Sequence, residues 1–89
     1  ISDNQIDISS FEIYPNPILD NNITVVYDIL SNESQLEIFS ITGEKVYNQV
    51  LNGSGFQAKS FILPNLKKGI YLVKVTSSKS SIQKKLVVQ

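Results

Sequence analysis

Apolar residues recur at every second position in short runs, which turn signals interrupt about every 8–12 residues, and no stretch holds a helical period of 3.6 residues. Ile23, Val25, Tyr27 and Ile29 alternate with Thr24 and Asp28, which predicts a strand over 23–30 with one buried face. Leu36 and Ile38 straddle Glu37 in the next run, which reaches Ile41. Its return strand, 46–51, follows Thr42-Gly43-Glu44-Lys45, where Gly43 is free to take a positive φ. Residues 56–63, 70–75 and 82–89 supply three more strands, and Phe11-Glu12-Ile13-Tyr14 precedes them all as an edge strand. Pro15-Asn16-Pro17 ends that edge strand, because neither proline can donate a ladder hydrogen bond. Turns are expected at Asp20-Asn21-Asn22, Ser31-Asn32-Glu33-Ser34, Asn52-Gly53-Ser54-Gly55, Pro64-Asn65 and 77–81. About seven short antiparallel strands at this spacing predict an all-β, immunoglobulin-like sandwich with Greek-key connections.

A chain of 89 residues has room for one domain, and at this size only about 60% of the unfolded surface is buried, so stability is modest. We expect residues 1–10 to be a polar linker that feeds the first edge strand and 11–89 to be the domain. The sequence starts at Ile1, with no Met and no signal-peptide pattern, and we read it as an excised piece of a longer protein whose targeting sequence lies elsewhere. No apolar run approaches the ~20 residues of a membrane-spanning helix.

The residue types that are missing narrow the chemistry. Without Cys there is no disulfide, thiolate nucleophile or Cys-based metal site, and without His the commonest general base and metal ligand are gone. Every basic residue is Lys, so the bidentate Arg fork of phosphate and base-edge recognition is absent, and no aromatic residues interleave the lysines for base stacking. Nucleic acid is therefore not an expected partner. Ser78 and Lys79 are adjacent, but a polar turn keeps the amine protonated and useless as a base. Asp20-Asn21-Asn22 lacks the regular acidic spacing of a calcium loop and reads as a turn. We expect no enzyme activity, no metal and no cofactor, and a monomeric chain.

All eight acids lie at or before Glu44 and all eight lysines at or after Lys45. Such asymmetry marks either a binding surface or two halves that neutralise each other on folding, since early and late strands meet in a Greek key. Lys74, Lys84 and Lys85 lie on the last two strands, with Lys67, Lys68 and Lys79 at their ends. Paired, these strands would offer a basic patch to an acidic protein surface or an anionic glycan, or lysines that guard a sheet edge. Glu37 and Lys74 are expected to face outward from neighbouring strands. Leu66, Gly69 and Tyr71 stand where sandwiches place a tyrosine corner, with the Tyr71 hydroxyl bonded to upstream backbone; a plain core aromatic is the other reading.

The order of motifs is informative. Phe11-Glu12-Ile13-Tyr14-Pro15-Asn16-Pro17 comes first, then Leu36-Glu37-Ile38-Phe39-Ser40-Ile41-Thr42-Gly43-Glu44-Lys45-Val46. Leu66-Lys67-Lys68-Gly69-Ile70-Tyr71-Leu72-Val73-Lys74-Val75 follows, and Lys84-Lys85-Leu86-Val87-Val88-Gln89 ends the chain. From Phe11 onward this resembles the type A C-terminal sorting domain of the type IX (Por) secretion system of Bacteroidetes. The resemblance implies an address label at the end of secreted cargo. The cargo would pass the periplasm, cross the outer membrane and lose the label to a sortase-like enzyme, ending anchored at the cell surface or released. The implied partners are the type IX translocon, its shuttle proteins and the processing enzyme. Gly69 and Tyr71 would shape the corner, Lys74 and the strand from Lys84 through Lys85, Leu86, Val87 and Val88 to Gln89 would be read by the machinery, and Pro15, Asn16, Pro17 and Gly43 would be structural. Many relatives carry a Lys after the final strand, where this sequence stops at Gln89. A generic immunoglobulin-like adhesive or carbohydrate-binding module, using Tyr47, Phe39 or the loop at Gly53 and Gly55, is the alternative.

Overall fold

The computed structural model describes residues 7–18, 20–30 and 32–89. Seven strands follow in order: β1 (Ile8–Tyr14), β2 (Asn22–Ile29), β3 (Glu33–Ser40), β4 (Lys45–Asn52), β5 (Gly55–Ile62), β6 (Gly69–Thr76) and β7 (Ser81–Val88). They form a three-stranded sheet, β1-β2-β5, and a four-stranded sheet, β4-β3-β6-β7, with every strand pair antiparallel. The chain changes sheet between β2 and β3, β4 and β5, and β5 and β6. These crossings make β3 and β6 neighbours and give the immunoglobulin-like Greek key that the strand spacing predicted.

In β2 and β3 the inward positions are the ones the alternation picks out. Ile23, Val25, Tyr27 and Ile29 of β2 are at most 1% exposed, as are Leu36 and Ile38 of β3, and Val73 and Val75 of β6 meet them from the same core. Phe11 and Ile13 close that core from β1, and Leu86 and Val88 close it from β7. Tyr27 lies in its centre and donates a hydrogen bond to the Asn52 carbonyl at 3.3 Å. Burial pushes the Tyr27 and Tyr47 phenols above their ordinary pKa of 10.0. The folded chain keeps them neutral where the unfolded chain ionises them, so their contribution is whole below pH 10 and is lost as pH rises through the folded values. Thermal midpoints should fall between about pH 9 and about pH 11, and fall less in Tyr47→Phe.

Two strand ends depart from the period-two reading. β1 starts at Ile8 because Ser9 is an extra residue: Ile8 pairs with Ile29 and Ser10 with Asp28. This bulge lets Ile8 and Phe11, three positions apart, both face inward, which strict alternation forbids. Asp7 is buried as well; its carboxylate accepts hydrogen bonds from the hydroxyls of Ser77, Ser78 and Ser80, and its carbonyl accepts one from Leu30 N at 2.8 Å. Residues 7–10 of the expected linker thus lie on the sandwich, while residues 1–6 fall outside the described residues. In the expected turn at 31–34, Ser31 is likewise outside them, and Glu33 and Ser34 belong to β3. Ser34 is a core position with a polar side chain, 4% exposed, and its hydroxyl finds no hydrogen-bond partner among the described residues. Ser34→Ala removes that orphaned group, and should raise the unfolding free energy by about 1 kcal/mol in a urea titration.

Candidate functional site

The family-like motifs converge on the end of the sandwich where β6 begins and β7 finishes. Gly69 opens β6 with φ +153°, a conformation L residues rarely adopt, so the chain can turn out of Lys67-Lys68 into the strand. Two residues on, the buried Tyr71 ring folds back and its hydroxyl donates to the Lys67 carbonyl at 2.6 Å. This is a tyrosine corner; a plain core aromatic would lack that bond. Tyr71→Phe should cost about 0.5–1.5 kcal/mol, read as a shift in the unfolding midpoint. Gly43, with φ +95°, sits in the β3–β4 hairpin, where its N–H donates to Ser40 and Ser40 N–H donates to Glu44.

β7 is the last strand of the four-stranded sheet, and its free edge is partly covered by the segment after β1. The Asn16 side chain works like a strand residue: its Nδ2 donates to the Lys85 carbonyl at 2.9 Å, and its Oδ1 accepts from Val87 N–H at 3.0 Å. Ile18 N–H then donates to the Val87 carbonyl at 2.8 Å, and Gln89 N–H donates to the Ile18 carbonyl at 2.9 Å. Pro15 and Pro17 flank this clasp, and the peptide bonds that precede both are cis. Ile18 itself is buried against the core. The sequence marks Pro15-Asn16-Pro17 as a strand end and a structural motif but does not reveal the clasp, whose one local signal is an amide side chain held between two residues that cannot donate.

Period two divides the residues of β7. Leu86 and Val88 are buried, whereas Lys85 and Gln89 are exposed and Val87 is half-buried on the outer side. Lys84 pairs with the buried Val73, so it stands on the core-facing side, and its ammonium reaches across to Glu12 of β1 at 3.5 Å. Lys85 pairs with Leu72, and Lys74 with Gln83 and Glu37, on the outer face. The three lysines therefore form no single patch, because consecutive residues of a strand face opposite sides. Glu37 and Lys74 do face outward together, but the Glu37 carboxylate meets Lys45, at 3.2 Å. Both ion pairs, Glu12–Lys84 and Glu37–Lys45, join an acid of the first half to a lysine of the second. Being exposed, each is worth about 0.2–1 kcal/mol.

The positions raised for chemistry are occupied structurally. Asp20 Oδ1 accepts from Asn22 N–H at 3.2 Å beside Asn21 at φ +68°, an Asx turn. Ser78 donates to Asp7 in the β6–β7 turn. Among the described residues no three His, Cys, Asp or Glu side chains gather into a metal-binding cluster. Of the aromatics named for an adhesive module, Phe39 and Tyr47 are half-buried, and Tyr47 packs on the core with its hydroxyl on Gln49. The exposed aromatics are Tyr14 and Phe56 instead. Gly53 is tied to the β2–β3 connection through its N–H to the Asn32 carbonyl. No described helix is long and apolar enough to cross a membrane.

Comparison with known proteins bears directly on this end of the molecule. The model of one family, the secretion system C-terminal sorting domain, matches residues 12–89, a span that contains the clasp, the corner and the final strand. None of the curated proteins compared matches the chain.

Proposed function

The chain belongs to the secretion system C-terminal sorting domain family, the sorting signal of type IX secretion, and on that premise we propose how its parts divide the work. A sorting signal of this system directs export to the cell surface or extracellular space and engages the secretion machinery. The family is a signal rather than an enzyme family. In our reading the cargo lies ahead of the sandwich and crosses the periplasm with it. A shuttle protein delivers the pair to the translocon. A sortase-like enzyme then cuts the chain within the linker, and the cargo is anchored or released.

The observation that carries this division is the Asn16–Ile18 clasp. It ties the first motif of the family-like span to its last strand, so the signal is legible only as a folded whole. Lys74, Lys85 and Gln89 are the residues available to a reader. Gly69, Tyr71, Leu86, Val88, Pro15, Asn16, Pro17 and Gly43 hold them in place, and Lys84 bridges the two sheets.

Asp7 sets the boundary of the removable part. Its side chain is locked among three serine hydroxyls, and a protease needs an extended, accessible backbone. The processed end of a reporter that carries residues 1–89 should therefore lie upstream of Asp7 when intact mass is measured. A new terminus within β1 would refute this boundary.

A further inference from the structure

The outer face of the four-stranded sheet divides into two halves. Its apolar half runs Phe39–Leu72 in one cross-strand row and Ile70–Val87 in the next. Leu72 and Ile70 are 40% and 44% exposed, with nothing among the described residues covering them. Lysines stand at both ends of the first row, Lys45 opposite Phe39 and Lys85 opposite Leu72. Beyond Ile70 and Val87 the face dips into a depression of about 430 Å³ bounded by Lys68, Gly69 and Gln89. The other half is polar, with Asn48, Glu37, Lys74 and Gln83 in one row. The only acid of that row, Glu37, is already engaged by Lys45, so the rim that remains is basic.

The sheet edges, by contrast, are defended against added strands. β1 and β4 carry bulges at Ser9 and Val46. β5 carries Lys59 on its core-facing side, opposite Val25. β7 carries Lys84 in the same orientation and is clasped over its second half. Bulges, covered edges and inward-pointing lysines all work against strand addition.

We propose that this outer face, with Phe39, Ile70, Leu72 and Val87 beside a rim left basic by Lys74 and Lys85, docks an acidic-rimmed apolar surface on a protein of the export machinery. An apolar patch with a polar rim marks an interaction site, and the sign of the rim selects an acidic partner. The polar half of the face requires hydrogen-bonding groups opposite it, which a protein supplies and the apolar interior of a lipid layer does not. The proposal rests on the sorting reading, and its test separates the two.

A periplasm-targeted reporter fused to residues 1–89 would be compared with the same fusion carrying Leu72→Ser and Lys85→Glu. A control would carry Phe56→Ser and Ile62→Ser on the other sheet, where both side chains are exposed. The outer-face variant should reach the medium or surface at least about tenfold less, the size of a loss of roughly 1.4 kcal/mol in binding, while the control travels like wild type. Thermal unfolding of the purified domains establishes that each is folded, and Leu72→Thr, which keeps a strand-forming residue, serves if Leu72→Ser is not. Normal export of the outer-face variant overturns the docking face while leaving the sorting role intact. Retention of the wild-type fusion removes both. Salt-sensitive binding of the wild-type domain to phosphatidylglycerol vesicles, lost in the variant, would replace the protein partner with a membrane and overturn the proposal.

Discussion

Leu86→Ala should cost about 2–5 kcal/mol of unfolding free energy, and export should fall with it. Leu86 is fully buried, pairs with Tyr71 across β6 and β7, and fills the core beside the corner. Truncation leaves a cavity beside Tyr71 in the shared core, where the backbone ladders of the two sheets limit collapse. A domain of this length has a total stability on the order of 5–13 kcal/mol, so the loss takes a large share of it. Urea titration gives the stability, and the export assay gives the consequence. Lys85→Glu, one residue earlier, should behave in the opposite way, with an almost unchanged urea midpoint and impaired export. If Leu86→Ala kept its stability, the packing account of the final strand would be wrong.

Asn16→Ala is the second large effect, about 1–3 kcal/mol. It removes the donor to the Lys85 carbonyl and the acceptor from Val87 N–H together, each worth about 0.5–1.5 kcal/mol. Its distinguishing sign is local. Hydrogen exchange at the Val87 and Gln89 amides should speed up more than at the β6 amides, because those two bond to the clasp rather than to the neighbouring strand. Uniform acceleration across the sheet would instead mean that Asn16 acts only through global stability. The freed edge of β7 is also a template for strand pairing, so the variant should aggregate more readily at high concentration.

How much of this was legible follows from which interactions are local. The inward faces of β2 and β3 could be read from alternation alone, because burial on one side of a pleated strand imposes a period of two. The corner could be read because Tyr71 bonds to a residue only four positions back. Ile8 was missed because the extra residue at Ser9 breaks the period. Ser34 was missed because a serine at a core position carries the signature of a turn. The parity of Lys84 with Leu86 and Val88 was present in the sequence, yet grouping lysines by proximity along the chain hid it. The clasp was beyond reach, since Asn16 and Val87 are 71 positions apart and no local pattern names the partner. The motif order, by contrast, pointed to the family that matches residues 12–89.

The most direct test of the central claim is an export assay in a type IX-competent bacterium, with residues 1–89 at the C-terminus of a fluorescent reporter that already carries a periplasmic export signal. The account predicts reporter at the cell surface or in the medium with the domain removed, and reporter confined to the periplasm when the domain is deleted. Reporter held in the periplasm with the domain attached, folded and intact would contradict it.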